Sequence, residues 1–157
     1  MKRTALAALL AVAVGFGLSG CGSDGDAPSV SEPFAPTATT LTATPQWQGT
    51  GLYRAGGLVE PAAGAVTLSF RDDRTFSGTG GCNATTGKYT VQGTSLVFGD
   101  IAQTEKACPG PEGQQDEALA QVLARVQGFA IRANTLELQD GADTVIATFV
   151  VPGATPS

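Results

Sequence analysis

Three cysteines offer the most chemistry of any side chains in this 157-residue sequence. Cys21 directly follows the residues Leu-Ser-Gly at 18–20, and small residues before a cysteine are typical of the lipobox that lipoprotein signal peptidase cleaves. The sequence therefore predicts that Cys21 becomes the lipidated N-terminus of the mature protein. The alternative is an ordinary export signal followed by a chance cysteine.

The segment before Cys21 has the parts of a secretory signal. Lys2 and Arg3 precede an apolar run over 5–18, which is shorter than the about 20 residues that a membrane-spanning helix needs. Residues 1–20 are therefore predicted to be removed on export. Acyl chains on Cys21 would hold the protein on the cell membrane or the outer membrane, because each buried methylene contributes about 0.8 kcal/mol. The folded part would then lie in the periplasm or outside the cell.

Cys82 and Cys108 remain once Cys21 is lipidated. An even pair of cysteines in an exported protein favours a disulfide, which would close a loop of about 27 residues and stabilise the fold by about 3–4 kcal/mol. The alternative is two reduced, buried thiols. A zinc site is disfavoured, because the sequence contains no histidine and two thiols alone make an incomplete ligand set.

The composition argues against several classes of function. Of 9 basic side chains, Lys2 and Arg3 leave with the signal, so 7 basic side chains remain against 14 acidic ones. An acidic chain without a basic cluster disfavours nucleic acid as a partner. The absence of histidine removes the commonest general base, and the sequence has no G-x-S-x-G motif. We therefore predict a non-enzymatic protein without a cofactor or a metal.

A glycine-rich stretch over 78–88 invites comparison with a phosphate-binding loop. Five residues rather than four separate Gly81 from Gly87, and Tyr89 follows Lys88 where Ser or Thr should hold magnesium. The stretch is therefore interpreted as a tight crossover with glycines at positive φ.

The chain that must position these residues divides into a tether, one domain and a tail. Residues 21–45 are rich in Ser, Thr and Pro and poor in large apolar residues, so burial cannot offset the entropy of ordering them. They are predicted to be a flexible tether. The domain is predicted to span 46–151, with a tail over 152–157, and is expected to be monomeric.

Apolar and polar residues alternate with period two through most of the domain, as in strands with one buried face. A stripe of apolar residues from Ala118 to Val126 instead indicates an amphipathic helix at about 114–127, ended by Gly128. Strands are predicted around 66–70, 75–78, 89–91, 96–98, 130–132, 136–138 and 145–151. The pattern predicts an α+β domain with a meandering antiparallel sheet.

Several segments together resemble the META domain family, also called HslJ-like. Residues 76–83 (F-S-G-T-G-G-C-N) look like the central Gly-Cys-Asn signature of the family, and 87–89 (G-K-Y) look like the G-x-Y strand that follows. Residues 104–108 (T-E-K-A-C) look like its threonine-to-cysteine segment. The resemblance covers about 46–151, and it departs from the family pattern at Lys106, where methionine is common.

The resemblance implies a curved antiparallel sheet, like an incomplete barrel, packed on one amphipathic helix. It implies that Cys82 and Cys108 form the correlated cysteine pair of the family. The family has no defined catalytic residues, so the residues that match its motif are interpreted as structural, with Asn83 and Thr104 satisfying backbone groups near the disulfide. The motif residues are Gly81, Asn83, Gly87, Tyr89 and Thr104.

Two hypotheses about function follow. The first is a membrane-anchored envelope lipoprotein whose domain binds an envelope protein or helps to maintain the envelope under stress. The resemblance supports it, because family members are often exported or lipid-anchored and some are linked to heat shock, antibiotic tolerance, motility or virulence. The alternative is a carrier that holds a lipid or another small molecule in an apolar cavity between the sheet and the helix.

Overall fold

The described chain folds around an antiparallel sheet of nine strands. The computed structural model describes residues 37–154, so the predicted signal over 1–20, the predicted lipidation site Cys21, the tether up to residue 36 and the end of the predicted tail at 155–157 lie outside the described residues. The elements are α1 (Ala38–Thr42), β1 (Trp47–Arg54), β2 (Gly57–Val59), β3 (Thr67–Phe70), β4 (Thr75–Thr79), β5 (Ala84–Gln92), β6 (Ser95–Gln103), α2 (Pro111–Leu123), β7 (Gly128–Arg132), β8 (Thr135–Gln139) and β9 (Val145–Val150).

The sheet closes on itself through β1. This strand pairs with β2 and β3 and also with β9, which contacts it along 48–52. The ring is irregular, because the β6–β7 pairing in the described chain consists of Ser95 opposite Gly128 alone. The predicted α+β fold, with a curved antiparallel sheet like an incomplete barrel, is confirmed.

Large apolar side chains fill the inside of the ring. Because side chains alternate across a strand, each strand turns one face inward, and α2 packs against β1. The bulkiest side chains that are less than 2% exposed are Trp47, Phe76, Phe129, Phe149, Leu41, Leu52, Leu68, Leu96, Leu119, Leu123, Leu136 and Leu138. They come from both helices and from most of the strands, so these elements share one core.

The predicted amphipathic helix is present as α2, and its buried face matches the predicted apolar stripe. It begins at Pro111, and proline is suited to this first position because an N–H here would have no partner within the helix. It ends at Leu123, short of the predicted end, because Arg125 donates its N–H to the Val122 carbonyl in a tight turn. Gly128, predicted to end the helix, instead begins β7. Within residues 37–154, neither helix has the length and apolar character needed to cross a membrane.

The folded chain begins before residue 46, the predicted start of the domain. Helix α1 lies within the predicted tether, and its Leu41 side chain is fully buried in the core. The indole Nε1 of Trp47 donates a hydrogen bond of 3.2 Å to the Leu41 carbonyl. One leucine among alanines and threonines gives no periodic signal, so the sequence did not indicate this helix. This part of the predicted tether is therefore folded.

Strands β1 and β2 were not among the predicted strands. Gly49 and Gly51 interrupt the pattern of β1, and glycine has a low preference for strands. The packing explains Gly49, because a Cβ atom at this position would lie 2.9 Å from Val66 Cγ1. The glycine that weakened the prediction is thus what allows β1 to approach the chain next to β3.

Candidate functional site

The Cys82–Cys108 disulfide joins the loop after β4 to the segment that leads into α2. The two Cα atoms lie 6.4 Å apart, at a sequence separation of 26. Both side chains are half-buried, so the bond is partly accessible from solvent. The structure therefore contains the bond that the cysteine count favoured, rather than two reduced thiols.

The side-chain amide of Asn83 connects three segments around this bond. Its Oδ1 accepts hydrogen bonds from Thr104 Oγ1 at 2.9 Å and from the Lys106 N–H at 2.8 Å. Its Nδ2 donates to the Lys106 carbonyl at 3.3 Å and to Asp116 Oδ2 at 2.9 Å. Asn83 is 8% exposed, so its amide is engaged inside the protein rather than offered to a ligand.

Thr104 links the end of β6 to the start of β5. Its Oγ1 accepts a hydrogen bond of 3.1 Å from the Ala84 N–H and donates to Asn83 Oδ1. Its own N–H donates to the Ala84 carbonyl at 3.0 Å. The sequence predicted that Asn83 and Thr104 satisfy backbone groups near the disulfide, and the structure places both of them there.

Asp116 is a member of the site that the sequence did not indicate. It lies on α2 with 5% of its surface exposed, and its Oδ2 accepts hydrogen bonds of 2.9 Å from both the N–H and Nδ2 of Asn83. Its Oδ1 is buried without a hydrogen-bond partner in residues 37–154. The available signal was its position three residues before Leu119, which places it on the buried face of the helix.

A glycine allows Asp116 to come this close. A Cβ atom at Gly80 would lie 2.6 Å from the Asp116 backbone nitrogen, so only glycine lets the loop after β4 rest directly on α2. The result is a layer in which Gly80 contacts the helix backbone, Asn83 bonds to the Asp116 carboxylate and Cys82 bonds to Cys108.

The two motif glycines have conformational roles. Gly81 has φ +115°, a region that side chains rarely adopt, and it lies in the loop next to Cys82. Gly87 lies at a bulge between β5 and β6, where a Cβ atom would be 2.6 Å from Phe76 Cε1 and 2.8 Å from the Gly99 carbonyl oxygen. Both positions require the absence of a side chain rather than any chemistry.

Tyr89 belongs to a different part of the domain from the disulfide. Its hydroxyl donates a hydrogen bond of 2.7 Å to the Arg71 carbonyl, and its ring meets Phe70 edge-on with centroids 5.2 Å apart. The Arg74 guanidinium lies 5.7 Å from the centroid of the ring. Burial raises the pKa of the Tyr89 phenol, and the positive charge of Arg74 opposes that rise in pKa.

The variant Tyr89→Phe is expected to lose about 1 kcal/mol of unfolding free energy at neutral pH, because the Arg71 carbonyl loses its hydrogen-bond donor. The pKa of Tyr89 is higher in the folded protein than its ordinary value of 10.0. Its contribution to the free energy of unfolding is therefore fully present below pH 10.0 and is lost as the pH rises through the folded-state pKa. Urea unfolding at neutral and alkaline pH measures both effects. The matched control is Tyr53→Phe at a side chain that is 42% exposed, which should leave stability unchanged. An equal alkaline loss of stability in wild type and Tyr89→Phe would contradict this role.

A model of the META domain matches residues 39–152, which is more than half of the chain and includes most of α1. The chain belongs to the META domain family. No curated protein matches it significantly.

Three solved structures share the fold of this META domain. An NMR structure of a protein from Burkholderia xenovorans is 26% identical, with a TM-score of 0.61, and covers 87% of this chain and 99% of its own. A second NMR structure is 20% identical, with a TM-score of 0.57, and covers 74% of this chain and 95% of its own. A crystal structure of a DUF4847 family protein from Bacteroides vulgatus is 14% identical, with a TM-score of 0.53, and covers 73% of this chain and 97% of its own. The last two likenesses show the fold alone.

Proposed function

We propose that this protein is a non-catalytic binding module of the cell envelope, held at a membrane by a lipid on Cys21. Its META domain would bind an envelope protein through an apolar patch on the outer face of β1 and β2. We define the apolar patch as Gly51, Tyr53 and Leu58. This patch is the observation that carries the proposal.

The apolar patch combines two large exposed side chains on adjacent strands. Tyr53 and Leu58 stand opposite each other in the β1–β2 register, and they are 42% and 47% exposed. A Cβ atom at Gly51 would lie 3.2 Å from Leu58 Cδ1 and 3.9 Å from Tyr53 Cε2, so both side chains lie over the bare backbone of β1. An aromatic and an aliphatic anchor side by side are typical of the centre of a protein interface.

The charge of the chain indicates the chemistry of the partner. The predicted mature chain keeps 7 of the 9 basic side chains against 14 acidic ones. Complementary charge speeds encounter and suppresses wrong partners. The partner is therefore expected to be an envelope protein that presents an apolar anchor within a basic rim.

The motif residues support a role without catalysis. The amide of Asn83 bonds to Thr104, Lys106 and Asp116, and Gly81 and Gly87 are required by backbone geometry and packing. These residues hold the fold together, which leaves the exposed face of the sheet as the surface for recognition.

The carrier hypothesis has less support from the packing of the ring. Trp47, Phe76, Phe129 and Phe149 are each at most 1% exposed and fill the core of the domain, where a carried molecule would need space. A carrier of an apolar ligand would have to displace these side chains, whereas a binding module uses the surface as it stands.

The partner can be tested in the cell with a photocrosslinking amino acid in place of Tyr53. The matched control carries the same amino acid in place of Val97, which is 48% exposed on β6. We expect a discrete crosslinked envelope protein from position 53 only, and weaker crosslinking after Cys21→Ser because the local concentration at the membrane falls. The same product from both positions, or none from position 53, would count against the proposal.

The identified protein should then bind the purified wild-type protein in solution. Leu58→Ser is expected to weaken this binding by about tenfold or more, since it removes one of the two anchors. Incorporation of labelled fatty acid into wild type and not into Cys21→Ser tests the anchor separately.

A further inference from the structure

We propose that reduction of the Cys82–Cys108 disulfide creates a binding site for a thiophilic divalent metal ion of the Zn²⁺ class, with both thiolates and the Asp116 carboxylate as ligands. This site is independent of the apolar patch. It would make metal binding by the domain depend on the redox state of its cysteine pair.

Three ligand atoms already lie together. The two sulfur atoms and one carboxylate oxygen of Asp116 are all within 4.8 Å of one another. They come from three separate segments, namely the loop after β4, the segment before α2, and α2 itself. The fold therefore assembles the ligand set from residues that are distant in sequence.

Asp116 is placed to accept a cation once the disulfide is open. Its carboxylate is 5% exposed and forms no ion pair with the described residues, and its Oδ1 is buried without a partner. Burying a carboxylate is costly unless charge or hydrogen bonds compensate it, and here Asn83 compensates only Oδ2. A metal ion between the sulfurs and the carboxylate would supply the positive charge.

The dimensions suit a tetrahedral ion. Zinc binds thiolate at about 2.3 Å and carboxylate oxygen at about 2.0–2.2 Å, so two thiolates on one ion lie about 3.8 Å apart. The Cα atoms of Cys82 and Cys108 lie 6.4 Å apart, which is toward the wide end of the range for bridged cysteines and leaves room for the sulfurs to separate. The half-buried cysteines leave the fourth position open to water.

The surroundings also favour negative sulfur. Asn83 Nδ2 lies 3.6 Å from Cys108 Sγ and can donate to a thiolate there in place of its longer bond to the Lys106 carbonyl. Cys108 lies beside Gly113 in the first turn of α2, since a Cβ atom at Gly113 would lie 3.6 Å from Cys108 Cβ. The helix dipole favours negative charge at this end of α2.

The chemistry balances with a dithiol as the reductant. Two electrons and two protons pass from the dithiol to the Cys82–Cys108 bond, which breaks into two thiols while the dithiol becomes a disulfide. Binding of the divalent ion then releases two protons and forms two metal–sulfur bonds. The disulfide and the metal cannot coexist, because both use the same two sulfur atoms.

The test uses the full chain carrying Cys21→Ser, so that no third thiol or lipid interferes. The protein is reduced with a phosphine, and the phosphine is removed under oxygen-free conditions. The reduced protein is then titrated with Co²⁺ and afterwards with Zn²⁺. We expect one Co²⁺ per chain with intense sulfur-to-cobalt absorption, displacement of Co²⁺ by Zn²⁺, and no binding by the oxidised protein. Cys82→Ser should abolish the absorption.

Asp116→Asn isolates the carboxylate, since asparagine keeps the shape and an oxygen for Asn83. It should weaken Zn²⁺ binding by more than about 100-fold, the upper end of the loss typical for an outer-sphere partner. The control Glu117→Gln removes an exposed carboxylate from the next position of α2 and should bind Zn²⁺ normally. Fluorescence of the single tryptophan, Trp47, which is 1% exposed, reports whether each sample is folded.

Three outcomes would overturn the proposal. The first is a folded, reduced protein that binds no metal. The second is unchanged affinity in Asp116→Asn, which would exclude the carboxylate as a ligand. The third is unfolding on reduction that Zn²⁺ does not reverse.

Discussion

Asn83→Ala is expected to lower the free energy of unfolding by about 3–4 kcal/mol, measured by urea unfolding with the disulfide intact. The substitution removes four hydrogen bonds. Two are donated by Nδ2 to Lys106 and Asp116, and two are accepted by Oδ1 from Thr104 and Lys106. Most of the cost comes from the Asp116 carboxylate, which keeps only the residue-83 backbone N–H as a donor while remaining buried. A loss of this size is a large part of the about 5–15 kcal/mol that stabilises a typical domain.

Thr104→Val is the matched control for this prediction. It removes one hydroxyl from the same network at an exposed position, so a loss near 1 kcal/mol is expected. Equal losses in the two variants would mean that the Asp116 carboxylate does not depend on the Asn83 side chain. The comparison therefore separates the effect of the buried charge from that of an ordinary hydrogen bond.

The sequence predicted the strands that carry a strong local apolar pattern. In β8, Leu136 and Leu138 alternate with polar residues, and β9 is apolar except for Thr148, so neighbouring residues alone indicate the structure. In β1 the local signal is weak, because Gly49 and Gly51 are present for close approach to Val66 and Leu58 rather than for strand preference. The strand β1 could not be predicted from its own residues, because the reason for its glycines lies in the segments that pack against it.

In the candidate site too, some residues could be predicted from the sequence and others depend on tertiary contacts. Cysteine number favoured the disulfide, and the resemblance to the family motif pointed to Asn83 and Thr104. Asp116 was missed, since an acidic residue in a helix is usually solvated. Its burial is decided by Gly80, a glycine in another segment that lets the loop rest on α2. Only the tertiary contact distinguishes this aspartate from its exposed neighbour Glu117.

Removal of the disulfide in Cys82→Ser/Cys108→Ser is expected to cost about 3–4 kcal/mol, because a bond spanning a loop of this length chiefly lowers the entropy of the unfolded chain. Urea unfolding of the double variant against oxidised wild type measures the loss. The folded state should survive, since Asn83 still ties the loop after β4 to the segment around Lys106 and to Asp116. Global unfolding of the double variant at neutral pH would show that these hydrogen bonds cannot hold the two segments alone.

The disulfide and Asn83 bridge the same two segments, so their effects should not add. With either one present, the loop after β4 stays on α2. With both removed, the loop can detach locally while the ring of strands remains folded, which limits the total loss.

A double-mutant cycle is therefore expected to give a combined loss smaller than the sum of the separate losses by about 1 kcal/mol. Strict additivity would mean that the disulfide acts only on the unfolded chain and that Asn83 alone sets the position of the loop. The reduced, folded state in which Asn83 holds Cys82 near Cys108 and Asp116 is the state that the proposed metal site requires.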